Sequence, residues 1–399
     1  MRISSSYFTD YSSAQMNSKL TELARLQEQI SSGKRINKPS DDPATVARAQ
    51  TIDSNRSRIE QLQKNSVIAN QRITLEEDTL DRITDMVQRL QELALAAKSG
   101  TVTAEKLSAY GSEVQQHLYE LIDYGNTKNA NGEYIFAGKM GKTQPFILDN
   151  NQVTYQGDQG SIELQIGSSR TVAVSDSGDE IFQKIPTGNG TFVVGAENTN
   201  TGTGVISSGT VVSNVAYQPH DVRVVFTSDT TFDVINDTTG ATEIANQTYS
   251  DGGTFQFNGV ALSIGGTPLN GDTFTVEPSR QEDLFSTLQR FITAAANNPA
   301  NANERAQMDQ ELNTVLENLE QAHIHINTQR SSIGSRLNYI DAANDENGSI
   351  DFLLQSTLSD LTDTDYAEAA SKLEFEMTTL EAVRQTFAKL QGNNLFNYL

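Results

Sequence analysis

Ile73-Thr74-Leu75-Glu76-Glu77-Asp78-Thr79-Leu80-Asp81-Arg82-Ile83-Thr84-Asp85-Met86-Val87-Gln88-Arg89-Leu90 decides the fold. Ile73, Leu80 and Val87 recur every seventh residue, and Glu76, Ile83 and Leu90 follow each by three. Extended outward, the first series becomes Ile52, Ile59, Ser66, Ile73, Leu80, Val87, Ala94. The second becomes Asn55, Leu62, Ala69, Glu76, Ile83, Leu90, Ala97. A 3.5-residue period held this long specifies a left-handed coiled coil rather than a globular surface helix. A helix from 43 to 99 would run roughly 85 Å. A compact globule of this chain length is only about 55 Å across, so the molecule is expected to be elongated.

A second stripe lies far downstream: Met308, Leu312, Val315, Leu319, Ala322, Ile326, Gln329, Ile333, Arg336, Ile340, with spacings alternating four and three. The two stripes satisfy each other as an antiparallel pair, or each meets another subunit; the sequence leaves both open. Ile59, Leu62, Ile73, Leu80, Ile83, Val87, Leu90, Leu312, Val315, Leu319, Ile326, Ile333 and Ile340 are the expected rod core. The polar seam positions Asn55, Glu76, Gln329 and Arg336 read as drift of the seam toward solvent in preference to register-setting core groups.

Punctuation separates the arms from the middle. None of the eight prolines lies in 44–144 or 300–399, and 18 of the 27 glycines lie in 141–280. Both residue types disrupt helix interiors, so a turn-rich insert divides two helical arms. Asp42-Pro43 reads as a cap and first-turn proline, and Thr103 as the cap of a shorter helix after Ser99-Gly100-Thr101. Ser279 with Glu282 reads as a capping box opening a helix through Leu284, Leu288 and Phe291. In the middle, Val153 and Tyr155 with Ile162, Leu164 and Ile166 read as a hairpin across Gln156–Gly160. Val222, Val224 and Phe226, then Phe255 to Ile264, continue the alternation. The expected fold is α+β and multidomain: an elongated antiparallel coiled-coil helical rod formed by both termini, with an inserted antiparallel β-rich outer domain.

The ends form a further matched pair. Residues 1–40 carry six basic and three acidic side chains, and 355–399 carry three basic and seven acidic. Met16, Leu20, Leu23, Leu26 and Ile30 oppose Tyr366, Ala370, Leu373, Met377, Leu380 and Phe387, and Asp365 with Glu368 reads as a capping box. Leu20, Leu23, Ile30, Leu373, Met377, Leu380, Phe387, Leu395 and Phe396 are the expected assembly residues. An isolated amphipathic helix is marginal in water, which makes these ends candidates for ordering on assembly. The expected division is 1–42 with 355–399 as terminal assembly helices and 43–140 with 281–354 as the rod. A hairpin region at 141–187 adjoins the rod, and 188–280 is the outer domain.

Composition narrows the function classes. The net charge is −22 over 399 residues, and no clustered Lys/Arg patch of the kind that binds nucleic acid appears. The chain has no cysteine, hence no disulfide, thiolate metal site or Cys nucleophile. No apolar run reaches the roughly 20 residues that span a bilayer, and Met1–Tyr7 lacks the apolar core of a cleaved signal peptide. Export, where it occurs, is expected to leave the start intact. His323 and His325, two apart on a helix, point about 200° apart and cannot chelate one ion. His117 and His220 read as surface or packing residues. Gly202-Thr203-Gly204 has no helix to follow it and is not a phosphate cradle. Asp345-Glu346-Asn347-Gly348 lacks a calcium loop's ligand spacing and reads as a loop between helices. No catalytic, cofactor or metal residue is assigned, and the chain is not expected to be an enzyme.

One run carries more. Gln29-Ile30-Ser31-Ser32-Gly33-Lys34-Arg35-Ile36-Asn37-Lys38-Pro39-Ser40-Asp41-Asp42-Pro43-Ala44 resembles the N-terminal signature of the bacterial flagellin superfamily. Asn131-Gly132-Glu133-Tyr134-Ile135-Phe136-Ala137-Gly138, Tyr155-Gln156-Gly157-Asp158 and the end from Thr386 to Leu399 resemble its hook–filament junction branch. The resemblance covers about 1–185 and 281–399. Residues 188–280 depart from the shorter members, although Gly259–Phe274 resembles β modules of other hook-associated proteins. The resemblance implies a structural protein of the flagellum, exported unfolded through the flagellar type III channel with a chaperone on the C-terminal helices. It implies assembly as a ring between another hook-associated protein and the first flagellin subunits; charge and hydropathy add the expectation of no nucleic-acid partner and no membrane insertion. The alternatives are a filament flagellin, and a surface adhesin or binding module acting through 188–280.

Overall fold

The computed structural model describes residues 5–392. The helices are α1 (Ser5–Ser32), α2 (Pro43–Ala97), α3 (Ala104–Gly125), α4 (Leu284–Ala296), α5 (Ala302–Thr362) and α6 (Tyr366–Gly392). The chain divides into two compact units. One holds the residues up to Lys64 with those from Ala343 onward; the other is Asn65–Ala342.

In the second unit α2 and α5 run antiparallel. Lys98 bonds Asn313, and seven residues back along α2 Gln91 donates to Glu320, seven residues on along α5 (3.0 Å). Arg330 continues the register, reaching Asp81 at 2.7 Å and Glu77 at 2.8 Å. Ile73, Leu80, Ile83, Val87 and Leu90 of α2 are buried, as are Leu312, Val315, Leu319, Ile326, Ile333 and Ile340 of α5. In the first unit Ile59 and Leu62 are buried, and Arg56 bonds Asp351 at 3.0 Å. Helix α5 passes unbroken through Asp345–Gly348 and through 354–355 to Thr362. The expected inter-helix loop at Asp345–Gly348 is therefore helix, and Asn347 is buried there. Packing of the surrounding stripe overrides the local glycine cost.

Thr103 caps α3, its hydroxyl accepting from the Lys106 N–H. Asp283, not Ser279, caps α4, with its carboxylate 2.7 Å from the Ser286 N–H. Ser279 is drawn away because its hydroxyl donates to the Thr187 carbonyl at 2.7 Å. Helices α3 and α4 pack closely where Gly111 meets Ala295; a Cβ at Gly111 would lie 3.1 Å from the Ala295 methyl.

Two short hairpins follow α3: β1 (Phe146–Asp149) with β2 (Gln152–Tyr155), and β3 (Glu163–Gln165) with β4 (Thr171–Ala173). The expected pairing of 153–155 with 162–166 does not form. Asn150 and Asn151, at φ +48° and +65°, make the two-residue turn that suits hairpin twist, so β2 pairs backward. Gly157–Gly160 is held in a different structure, described below. The π-helical turn Asp179–Gln183 leads into β5 (Ile185–Pro186).

The outer segment contains β6 (Phe192–Ala196), β7 (Val205–Ile206), β8 (Thr210–Val211), β9 (Val222–Ser228) and β10 (Thr231–Asn236). It continues with β11 (Ala241–Thr248), β12 (Thr254–Phe257), β13 (Val260–Gly265) and β14 (Thr273–Pro278), and β15 (Gln281–Glu282) pairs back onto β5. An antiparallel sheet ordered β11-β10-β9-β14-β6 shares one core with the smaller layer β12-β13-β7. Phe226, Phe232, Phe255 and Phe274 meet inside it, Phe232 and Phe255 at 4.8 Å between ring centroids. Period-two burial along β9, β10, β13 and β14 is the physical origin of the alternation read from sequence. Asp272, buried, accepts N–H groups from Thr201 (2.8 Å), Gly202 (3.1 Å) and Leu269 (2.8 Å). The Gly202 loop is thus pinned by a carboxylate from its own chain.

This outer core docks on α5 through side-chain amides. Gln310 accepts the Ile206 N–H at 2.9 Å and Asn318 the Gly188 N–H at 2.8 Å. Asn303 donates to the Asn200 carbonyl at 3.0 Å.

Candidate assembly site

The signature run folds as a clasp in the first unit. Helix α1 ends at Gly33, whose φ of +72° is the left-handed cap conformation that favours glycine. Its N–H donates to the Gln29 carbonyl at 2.9 Å. A side chain here would also strike Tyr366, with a Cβ 2.8 Å from its hydroxyl. Next, Arg35 N–H donates to the Thr362 carbonyl (2.7 Å) and Thr364 N–H to the Gly33 carbonyl (2.9 Å). The two chain ends are thereby stitched between α1 and α6. The Arg35 guanidinium donates to the Leu361 carbonyl at 2.7 Å, placing positive charge at the C-terminus of α5 where the helix dipole favours it. Lys34 pairs with Asp363 at 2.5 Å, and that bond holds the Asp363 carboxyl below its ordinary range.

The acidic end of the signature closes the turn. Asp41 accepts N–H groups from Lys38 (2.9 Å) and Asn37 (3.2 Å). Asp42 caps α2, accepting from the Thr45 N–H at 3.1 Å and its hydroxyl at 2.5 Å. Those bonds, the hydroxyl's first, lower its acidity range. Pro43 occupies the first helical position, where its missing N–H costs nothing.

Beyond the clasp, α1 and α6 pair along a thin seam. Leu23, Leu26 and Ala369 are buried, and Lys19 bonds Glu376 at 2.8 Å. Asp365 caps α6 through the Ala367 and Glu368 N–H groups (2.9 and 3.1 Å). Ile30, Leu373, Leu380 and Phe387 are half-buried. Leu20 and Met377 stand exposed, at 49% and 56%. Leu395 and Phe396 lie outside the described residues. Sequence reading missed others: Phe352 (74% exposed), Leu353 and Phe375. Phe352 and Leu353 depart from the seam spacing of α5, and that departure was the available signal. Surface apolar groups in this number exceed what one helix pair buries.

In the second unit the junction-branch motifs build a latch. The Tyr155 hydroxyl lies within hydrogen-bond distance of the carbonyls of Phe136 (3.0 Å) and Asp158 (2.8 Å), its one proton shared between them. Burial pushes its phenol up to about 12. Asp158 accepts the N–H groups of Lys139 (2.9 Å) and Gly160 (2.8 Å). Gly138, at φ +64°, has no room for a side chain, since a Cβ would lie 2.2 Å from the Asp158 carboxylate. Phe136, Phe146, Phe182 and Phe285 form the aromatic floor at 5.0–5.9 Å between ring centroids.

The polar seam residues part company. Asn55 is exposed, and Gln329 and Arg336 are half-buried. Glu76 is 1% exposed, which overturns the solvent-facing reading for it. The segment after β4 brings Asp176 to it, and Arg336 bonds Asp176 at 3.1 Å and the Ala173 carbonyl at 3.2 Å. Burial, then the Asp176 charge, raises the Glu76 carboxyl well above its ordinary range; Arg336 offsets this only in part.

Three of the four histidines have separate partners: His325 meets the Glu180 carbonyl at 2.8 Å, His117 pairs with Glu120, and His220 with Asn236, while the buried Nδ1 of His323 has none among the described residues. Among the described residues no group of three His, Asp or Glu side chains is arranged to hold a metal. No described helix is long and apolar enough to cross a membrane.

Comparison with known proteins agrees with this arrangement. Residues 3–140 match the bacterial flagellin N-terminal helical region, and 316–399 the bacterial flagellin C-terminal helical region. Flagellar hook-associated protein 3 of Escherichia coli is 32% identical over 164 residues, 41% of this chain and 51% of that protein. The match thus spans about half the length of this curated relative. The crystal structure of flagellar hook associated protein-3 from Legionella pneumophila superposes with a TM-score of 0.74 at 31% identity. It covers 78% of this chain and 98% of that one. A structure of the flagellar junction protein FlgL from the same organism gives 0.71 at 30%, covering 79% and 100%.

Proposed function

This chain belongs to the family of flagellar hook-associated protein 3, and from that premise we propose that it is a structural subunit of the hook–filament junction. The observation that carries the reading is the clasped α1/α6 pair. The signature run binds the two ends of the chain together, and the paired helices present Leu20, Phe375 and Met377 to solvent. A surface of that kind gains its burial only from neighbouring subunits.

The ends 1–42 and 355–399 serve as assembly helices, with Leu20, Leu23, Ile30, Leu373, Met377, Leu380, Phe387, Leu395 and Phe396 in subunit contacts. Residues 43–140 with 281–354 are the rod. The hairpin region 141–187 attaches to the rod, and 188–280 is the outer domain. The partners are another hook-associated protein on one side and flagellin subunits on the other, in a ring of copies of this chain. An export chaperone binds the C-terminal helices, and the chain leaves through the flagellar type III channel. It performs no catalysis.

Immuno-labelling of intact flagella tests this. The expected result is label in a short band between hook and filament. Label along the whole filament would identify a flagellin instead.

A further inference from the structure

In a chain of net charge −22, the turn between α3 and β1 gathers two lysines that make no salt bridge among the described residues and feel Asp158 and Glu133 only at longer range. Lys139 and Lys142 are exposed at the rim of a pocket of about 380 Å³ whose wall includes Arg72, Tyr134 and Ile162. Met140, between them, is 45% exposed. The nearby carboxylates are engaged elsewhere: Glu133 with Arg72 and Asn129, Asp158 with the backbone N–H groups of Lys139 and Gly160. The patch is also preorganised. Met140 N–H donates to the Ala137 carbonyl (3.2 Å), Thr143 N–H to the Met140 carbonyl (2.8 Å) and Tyr134 N–H to the Gly141 carbonyl (2.8 Å).

A complementary face lies on α3. Tyr119 is 46% exposed, and Asp123, four residues on and therefore on the same face, is exposed too. Among the described residues no cation pairs with Asp123. Each face thus joins an exposed apolar side chain to charge that no salt bridge satisfies, and the signs are opposite.

We infer that the Lys139–Met140–Lys142 patch of one copy receives the Tyr119–Asp123 face of a second copy. Asp123 meets the lysines, and the Tyr119 ring covers Met140, a favourable sulfur–aromatic contact. The two faces are different surfaces of one chain. The contact is therefore heterologous: every copy offers one face and accepts the other, and repetition closes a ring or propagates a helix. This inference rests on the junction reading, which supplies copies side by side.

The absence of cysteine makes the test clean. Met140→Cys and Tyr119→Cys full-length chains, carrying different tags, are co-expressed, and flagella are isolated under mild oxidation. A disulfide-linked heterodimer of the two tags is expected. Lys139→Glu with Lys142→Glu in the Met140→Cys copy should cut its yield at least about tenfold, and Asp123→Lys in the other copy should restore it. Thermal melts of the variants should match the parent, since every substituted side chain is exposed. Missing heterodimer while label remains at the hook–filament boundary overturns the contact and leaves the junction reading intact. Heterodimer indifferent to charge reversal also overturns it. Loss of the boundary label from the unmodified chain overturns the junction reading itself.

Discussion

Arg336 on α5 holds Asp176 with two guanidinium nitrogens while Glu76, the seam residue of α2 beside them, is left with a buried carboxylate oxygen that has no partner. Arg336 engages the partly exposed Asp176 and leaves Glu76 without an ion-pair partner, so burial and the Asp176 charge favour the protonated form of the Glu76 carboxyl. The triad ties the segment after β4 to the rod.

A pH dependence follows. The Glu76 carboxyl is raised in the folded chain above its ordinary 4.5, so the folded state binds the proton more tightly than the unfolded state. Its stabilisation is complete below about 4.5 and is lost as pH climbs through the raised value. Glu76→Gln should flatten the melting temperature from pH 5 to 9 and equal or exceed the parent at pH 8. Parallel curves for the two proteins would remove Glu76 from this role.

Ile83 is fully buried in the α2/α5 seam. Ile83→Asp should destabilise the second unit by at least about 4 kcal/mol, since an unpaired charge would replace close packing. Circular dichroism melts measure it, and an unshifted melt contradicts the packing assigned to that position.

Gly138→Ala tests the latch. The left-handed backbone and the clash with Asp158 together should cost about 2–3 kcal/mol. Hydrogen exchange should rise at the Lys139 and Gly160 amides, which Asp158 binds, before it rises in α2. Uniform exchange across both would show that the latch is not a separate device.

Gly33→Val tests the clasp. It places a branched side chain at φ +72° against Tyr366, and should cost about 1–2 kcal/mol locally. Cells carrying it should lose the junction label while the melt of the second unit is unchanged. Normal labelling would separate the clasp from assembly.

Removing 1–40 and 355–399 should leave a soluble folded monomer that does not assemble, because the seam from Ile73 to Ile340 lies outside the deleted ends. Analytical ultracentrifugation and flagellar labelling read the two halves of this expectation. Assembly by the shortened chain would overturn the role given to the ends.

The sequence by itself determined the helical arms. Their seams from Ile73 to Leu90 and from Leu312 to Ile340 follow from the 3.6-residue geometry of a helix, which shows in consecutive residues. Caps such as Asp42, Thr103 and Asp365 were legible for the same reason, since each bonds within three residues of itself. In the candidate site, the Gly33–Asp42 run was legible as a signature, but its bonds to Leu361, Thr362 and Asp363 were not. Only the tertiary structure decided which distant strands pair, that Ser279 turns to Thr187 instead of capping α4, and that Gln310 and Asn318 read the backbone of the outer core. It also decided the fate of Glu76. A polar residue on a seam has the same local pattern whether it faces water or a carboxylate, and the segment that covers it arrives 100 residues later in the chain.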